Sequence, residues 1–326
     1  MELENNPGLQ KHNLGVFGIL TEALILSTQN INFLIFTLLV SLPLFFFSIY
    51  YEIFLQTTLV EANNILTPPP GQYHRWLPIP GYLSKLDESF IYRLIQLLFL
   101  HLIPLHLIEF STVLVTVDLA SKLITKEKPM TLKEMIHKPI HSNILRGTFI
   151  TSIYTLALYA CTLPGLIWFP GNCYVNLENN ELGVPYSVFY GVASAVVLVK
   201  FLEWSVVWNM SIVISVLDEK VYAARALVLS DFLSKGRKSQ GRFLMLVFVA
   251  CGVGLRLPCL YSRCNASGSG IIAQISLLCM VNVIKWVAFL IYFYDCKWHK
   301  LEKKVDEQVT TRDIEAVHER QFHGLE

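Results

Sequence analysis

Five side chains able to do chemistry lie inside long apolar stretches of this 326-residue chain: His106, Glu109, Lys200, Glu203 and Lys285. Ionisable groups are costly in hydrocarbon and normally face the interior of a helix bundle, so each is a candidate for a relay, a polar substrate site or an ion pair. At 1.5 Å of rise per residue from the outer end of each stretch, Glu109, Lys200, Glu203 and Lys285 reach a common depth of roughly 20 to 24 Å. Two carboxylates and two ammonium groups at one level can neutralise one another. Lys200 and Glu203 share a helical face at i, i+3, as do His106 and Glu109. One reading is a proton or ion relay, or a polar substrate site. The plainer and preferred one is an interhelical cluster of ion pairs and hydrogen bonds that sets helix register.

Other chemistries have less behind them. His106-x-x-Glu109 offers two metal ligands on one face, but a site needs three or four and His101 lies off that face, so no metal is expected. There is no Gly-x-Ser-x-Gly, no His-Glu-x-x-His and no phosphate-binding loop, and no cofactor is expected. Seven cysteines leave at least one free. Cys173, Cys259 and Cys264 fall at or beyond the outer membrane surface, where one disulfide among the three is conceivable, while Cys161, Cys251 and Cys279 read as packing residues within spans. Asn265-Ala266-Ser267 is a glycosylation sequon in a short loop against the membrane, and Asn209-Met210-Ser211 is a chance match inside a span.

The elements that must position these groups follow from composition. The chain is 53% hydrophobic and 16% charged, with a mean hydropathy of +0.48 and a formal charge of +1. Soluble domains carry roughly a quarter charged residues, so a polytopic membrane protein is indicated, and near-neutrality argues against a nucleic-acid partner. Six apolar runs are long enough to span: Phe33–Leu55, Phe90–Ala120, Thr148–Phe169, Tyr186–Leu217, Phe243–Tyr261 and Ile271–Tyr294. In lipid each must be a helix, because every backbone hydrogen bond has to close within the segment. Pro43 and Pro104 interrupt the first two runs, and Pro164-Gly165 breaks the third near its end.

Lys and Arg in the connections divide nineteen to four between the two sides, alternating loop by loop, which places both termini in the cytoplasm. Leu14–Leu26 is too short to cross. With Phe17, Leu20 and Leu24 on one face, it reads as an interfacial helix. The first outer loop carries Pro68, Pro69, Pro70, Pro78 and Pro80 among Tyr73, Trp76 and Tyr82, the pattern of a stiff segment along the membrane surface. The second inner loop ends in Lys235, Arg237, Lys238 and Arg242, which would face anionic headgroups, with Ser234 and Ser239 as candidate phosphorylation sites.

The segment Val206-Val207-Trp208-Asn209-Met210-Ser211-Ile212-Val213-Ile214-Ser215-Val216-Leu217-Asp218-Glu219, followed by Tyr222, Ala226-Leu227, Ser230 and Lys235-Gly236-Arg237, resembles an uncharacterised plant family of six-span proteins. Leu14–Leu24 resembles that family's N-terminal segment, and Tyr292-Phe293-Tyr294-Asp295-Cys296-Lys297 its end. The chain is similar, more distantly, to bacterial YciC-like proteins and to the membrane domain of some glycerophosphodiester phosphodiesterases. Those relatives commonly have glycine after the tyrosine, where this chain has Ala223. The resemblance implies an all-helical membrane fold without established activity or catalytic residues.

The expectation is thus an all-α, six-span bundle: a cytoplasmic N-terminus with an interfacial helix over 1–32, a membrane domain over 33–296 and a charged cytoplasmic tail over 297–326. The function expected is non-enzymatic, organising lipid or partners in the secretory pathway or plasma membrane, with the lipid bilayer as its partner. A transporter or channel using the Glu/Lys cluster and a membrane-embedded lipid-modifying enzyme are the alternatives.

Overall fold

A computed structural model describes residues 15–66, 88–125, 142–178, 183–261 and 269–323, with side chains over 15–61, 88–125, 144–173, 185–257 and 269–304. Regular secondary structure among them is entirely helical: α1 (Val16–Gln29), α2 (Ile31–Leu66), α3 (Glu88–Leu100), a π-helical turn (His101–Leu105), α4 (His106–Ile124), α5 (Ser142–Glu178), α6 (Gly183–Leu217), α7 (Ala223–Ser234), α8 (Lys238–Tyr261) and α9 (Ser269–His323). Six stretches are long and apolar enough to cross a membrane: Ile31–Glu61, Glu88–Ile124, Ile144–Cys173, Pro185–Leu217, Lys238–Leu257 and Ser269–Lys304. The chain is an all-α, multi-pass membrane protein.

The expected spans are present, but proline acts on them unequally. Pro104 cannot donate to the helical ladder, and the second span absorbs the loss by widening into the π turn, with Pro104 inside it. Pro164 and Pro170, in contrast, both lie within the continuous α5, so Pro164-Gly165 does not end the third span. Each proline removes one donor, and lipid offers no partner for a broken ladder. The charged segment from Lys297 is no separate element either, because α9 runs on to His323.

Two compact units emerge: Met1–Gln29, Val117–Val247 and Lys285–Glu326 make the first; Asn30–Thr116 and Phe248–Ile284 the second. In the first, α5 packs along α6 and both pack against α7. The approach is close because α7 buries only small residues on that side, Ala226, Ser230 and Ser234, and the Ser230 hydroxyl donates to the Val207 carbonyl at 2.8 Å. Tyr222 is extended and Ala223 takes φ 50°, a left-handed conformation that only glycine adopts freely. The Ala223 N–H is held there by the Thr151 hydroxyl oxygen at 2.8 Å. Gly147 leaves room for Tyr222, whose Cβ would stand 3.3 Å from any added methyl.

In the second unit Ile271, Ile275 and Cys279 form a buried ridge of α9 at i, i+4, i+8, packed by Phe45, Ile49 and Leu278. The Tyr51 ring lies 5.5 Å from the His101 ring at the start of the π turn.

Candidate functional site

The five ionisable residues singled out above are distributed between the two units. Lys200, Glu203 and Lys285 belong to the first, His106 and Glu109 to the second. Glu203 is saturated: one oxygen accepts from Lys200 at 2.9 Å and the other from Arg242 at 3.1 Å. Lys285 lies 4.6 Å from the centre of the Trp286 ring. His106 and Glu109, both half-buried, open α4 one turn apart. Within the first unit, therefore, the partner of the Lys200–Glu203 pair is Arg242.

The basic loop departs further from expectation. Arg237 does not face headgroups. Its guanidinium is buried against Asp295 at 2.7 Å, with side chains 8% and 6% exposed, and it also donates to Gln240 at 3.1 Å. The Tyr292 hydroxyl donates to the Arg237 carbonyl at 3.1 Å. Gly241 makes this closure feasible: a Cβ there would stand 2.7 Å from the Tyr292 hydroxyl and 2.8 Å from Val206. Arg242 turns to Glu203, while Lys235 and Lys238 share Asp231 at 3.9 and 2.9 Å. All four basic groups thus have a carboxylate at hand, with Lys235 and Lys238 sharing one. Ser234 is buried and hydrogen-bonded to the Asp231 carbonyl, which leaves Ser239 as the accessible hydroxyl of the two candidate phosphorylation sites.

The second unit holds a polar cluster that the apolar pattern conceals. Glu52 is 1% exposed. One of its oxygens accepts from Gln274 at 3.3 Å and Gln56 at 3.4 Å; the other faces Arg256 Nε at 3.6 Å. In the sequence Glu52 stands beside two tyrosines toward the close of an apolar run, and Gln274 is a lone amide among aliphatics, so neither calls attention to itself. The one sequence signal is the i, i+4 spacing of Glu52 and Gln56, which puts both on one face.

A family model described as a domain of unknown function, DUF8558, matches residues 1–322. The chain belongs to that family. No curated protein and no solved structure matches it.

Among the described residues no three or more His, Cys, Asp or Glu side chains group as metal ligands. Cys173 is a free thiol that donates to the Ser187 carbonyl at 3.4 Å, and Cys161, Cys251, Cys279 and Cys296 are free as well. Cys259 lies outside the described side chains. Cys264, the sequon at Asn265 and the proline-rich loop from Pro68 to Tyr82 lie outside the described residues. What the two units offer is a set of closed ion pairs in one and a loosely bonded carboxylate in the other.

Proposed function

We propose that the protein is a non-enzymatic membrane component that organises the lipid of one bilayer surface, with α1 and α7 lying in that interface. The observation that carries the reading is the orientation of α7. Its small residues are buried, with Ser230 hydrogen-bonded to Val207 of α6, while Val228, 71% exposed, and Phe232 point outward between the ends of two spans. α1 repeats the pattern, burying Ile19, Ala23 and Ser27 and exposing Phe17 and Leu24. Phe232 keeps Lys300 over its ring at 4.3 Å and Phe17 meets Phe243 at 6.3 Å, yet both remain exposed, and short helices with an exposed apolar stripe next to span ends enter the headgroup boundary by apolar insertion. Saturation of Glu203 supports a structural role for the charges of this unit over a relay. The nineteen-to-four division of basic residues supports cytoplasmic termini, and hence a cytoplasmic surface for both helices, in an endomembrane or the plasma membrane. Kinship with the plant six-span family and, further off, with YciC-like proteins is part of the proposal and agrees with an absence of catalysis.

The test uses purified protein in vesicles containing a dye sensitive to lipid packing. Wild type should change packing at its α7 surface, and the double variant Val228→Ser/Phe232→Ser should lose most of that effect while keeping the helical fold. Catalytic turnover of lipid, or net flux of an ion or solute through the purified protein, would overturn the reading.

A further inference from the structure

Among the described residues, buried carboxylates are set against guanidinium groups twice, and the two pairs differ. Asp295 and Arg237 touch at hydrogen-bond distance, and the guanidinium gains a second acceptor in Gln240. Glu52 and Arg256 lie 3.6 Å apart, an ion contact without a hydrogen bond, and the two amides on Glu52 Oε1 are long at 3.3 and 3.4 Å. Glu52 Oε2 and Gln274 Oε1 are both buried with no hydrogen-bond donor, although the residues are 1% and 4% exposed. Buried polar atoms are nearly always satisfied, so two orphans in one cluster need a physical account. Both are acceptors. The Arg256 side chain meets Glu52 through Nε and is itself 49% exposed.

Position narrows the partner. Arg256 lies within a turn and a half of the end of α8 at Tyr261, Gln274 within a turn and a half of the start of α9 at Ser269, and Glu52 within four turns of the end of α2 at Leu66. Spans that alternate in direction bring these three ends to the same membrane surface. The cluster lies toward that surface, and its chain neighbours Ile53, Val253 and Leu257 expose apolar side chains, along which an acyl chain can lie.

We infer that Glu52, Gln274 and Arg256 form a binding site for an ammonium-bearing phospholipid headgroup. The ammonium donates to Glu52 Oε2 and Gln274 Oε1, the two acceptors that the amide contacts on Oε1 leave unmet, and the phosphate pairs with the exposed part of the Arg256 guanidinium, for which a guanidinium is well shaped. A choline headgroup carries no N–H and cannot satisfy the two orphans, so the site discriminates ethanolamine from choline. This inference concerns the second unit and stands or falls independently of α7.

The experiment reconstitutes the whole protein in equimolar phosphatidylethanolamine and phosphatidylcholine, extracts it in mild detergent, and reads the retained lipid by native mass spectrometry. Wild type should retain ethanolamine over choline lipid by about tenfold or more, the scale of one well-placed charged hydrogen bond. Glu52→Gln should bring the ratio close to one, and Arg256→Gln should lower retention of both lipids. Equal retention by wild type, or an unchanged ratio in Glu52→Gln, would overturn the site. Should Glu52→Gln fail to assemble, Gln274→Leu decides: a wild-type ratio in that variant also overturns it. Displacement of the lipid by soluble phosphoethanolamine at equal concentration would show that the headgroup comes from solution and would overturn the assignment to lipid.

Discussion

The buried pair of Arg237 and Asp295 allows the sharpest test of how the first unit is held together. At 2.7 Å the attraction between the two charges is about 6 kcal/mol at an effective dielectric of ~20, before desolvation is subtracted. Desolvation removes much of that, so the pair as a whole adds little net stability compared with apolar residues of equal size. Removing one partner is different, because the survivor stays buried and charged. Asp295→Leu leaves the guanidinium buried without its carboxylate, and Arg237→Leu leaves the carboxylate buried without that guanidinium. Each single variant should lose about 3 to 5 kcal/mol. The double variant Arg237→Leu/Asp295→Leu should lose less than either single one. The assay is reversible unfolding in bicelles by added SDS, followed by circular dichroism, with all four proteins of the cycle measured together. Single variants that cost less than about 1 kcal/mol, or a double variant that costs the sum of the two, would refute the closed-pair account.

Other variants probe the neighbouring contacts by the same assay. Gly241→Ala should cost about 1 to 3 kcal/mol, since its methyl would stand 2.7 Å from the Tyr292 hydroxyl, and adding Tyr292→Phe should recover part of the loss; no recovery would mean that Val206 makes the clash. Ala223→Gly should stabilise the protein by roughly 0.5 to 1 kcal/mol, the relief of a left-handed alanine less the added chain entropy of glycine, and a loss of stability would count against the φ of 50°. Thr151→Val should cost about 1 to 3 kcal/mol by stranding the Ala223 N–H, while Thr151→Ser should stay close to wild type. Because the proposed insertion of α7 through Val228 and Phe232 is apolar, its effect on lipid packing should persist in about 1 M salt, whereas a loss there would favour an electrostatic reading through the basic groups around it.

Much of the architecture is written in composition and periodicity. Twenty-residue apolar runs admit only helices in lipid, and that single constraint yields the six spans, close to their observed limits, and the short helix before them. The Lys200–Glu203 pair is also local, three residues apart on one helix, and is legible for that reason. Pairings between distant segments are not. Arg237 and Arg242 look alike in a basic loop, but one is buried on Asp295 and the other reaches Glu203, because the turn after α7 aims them at different helices. Glu52, Gln274 and Arg256 lie on three helices, and no spacing within any of them records the meeting. Sequence alone thus determines that this chain crosses a membrane and where, because burial in hydrocarbon acts on each segment by itself. Which charges are locked and which carboxylate is left half-satisfied was decided only by the packing of helices, since an ion pair depends on distances between segments that the order of residues does not contain.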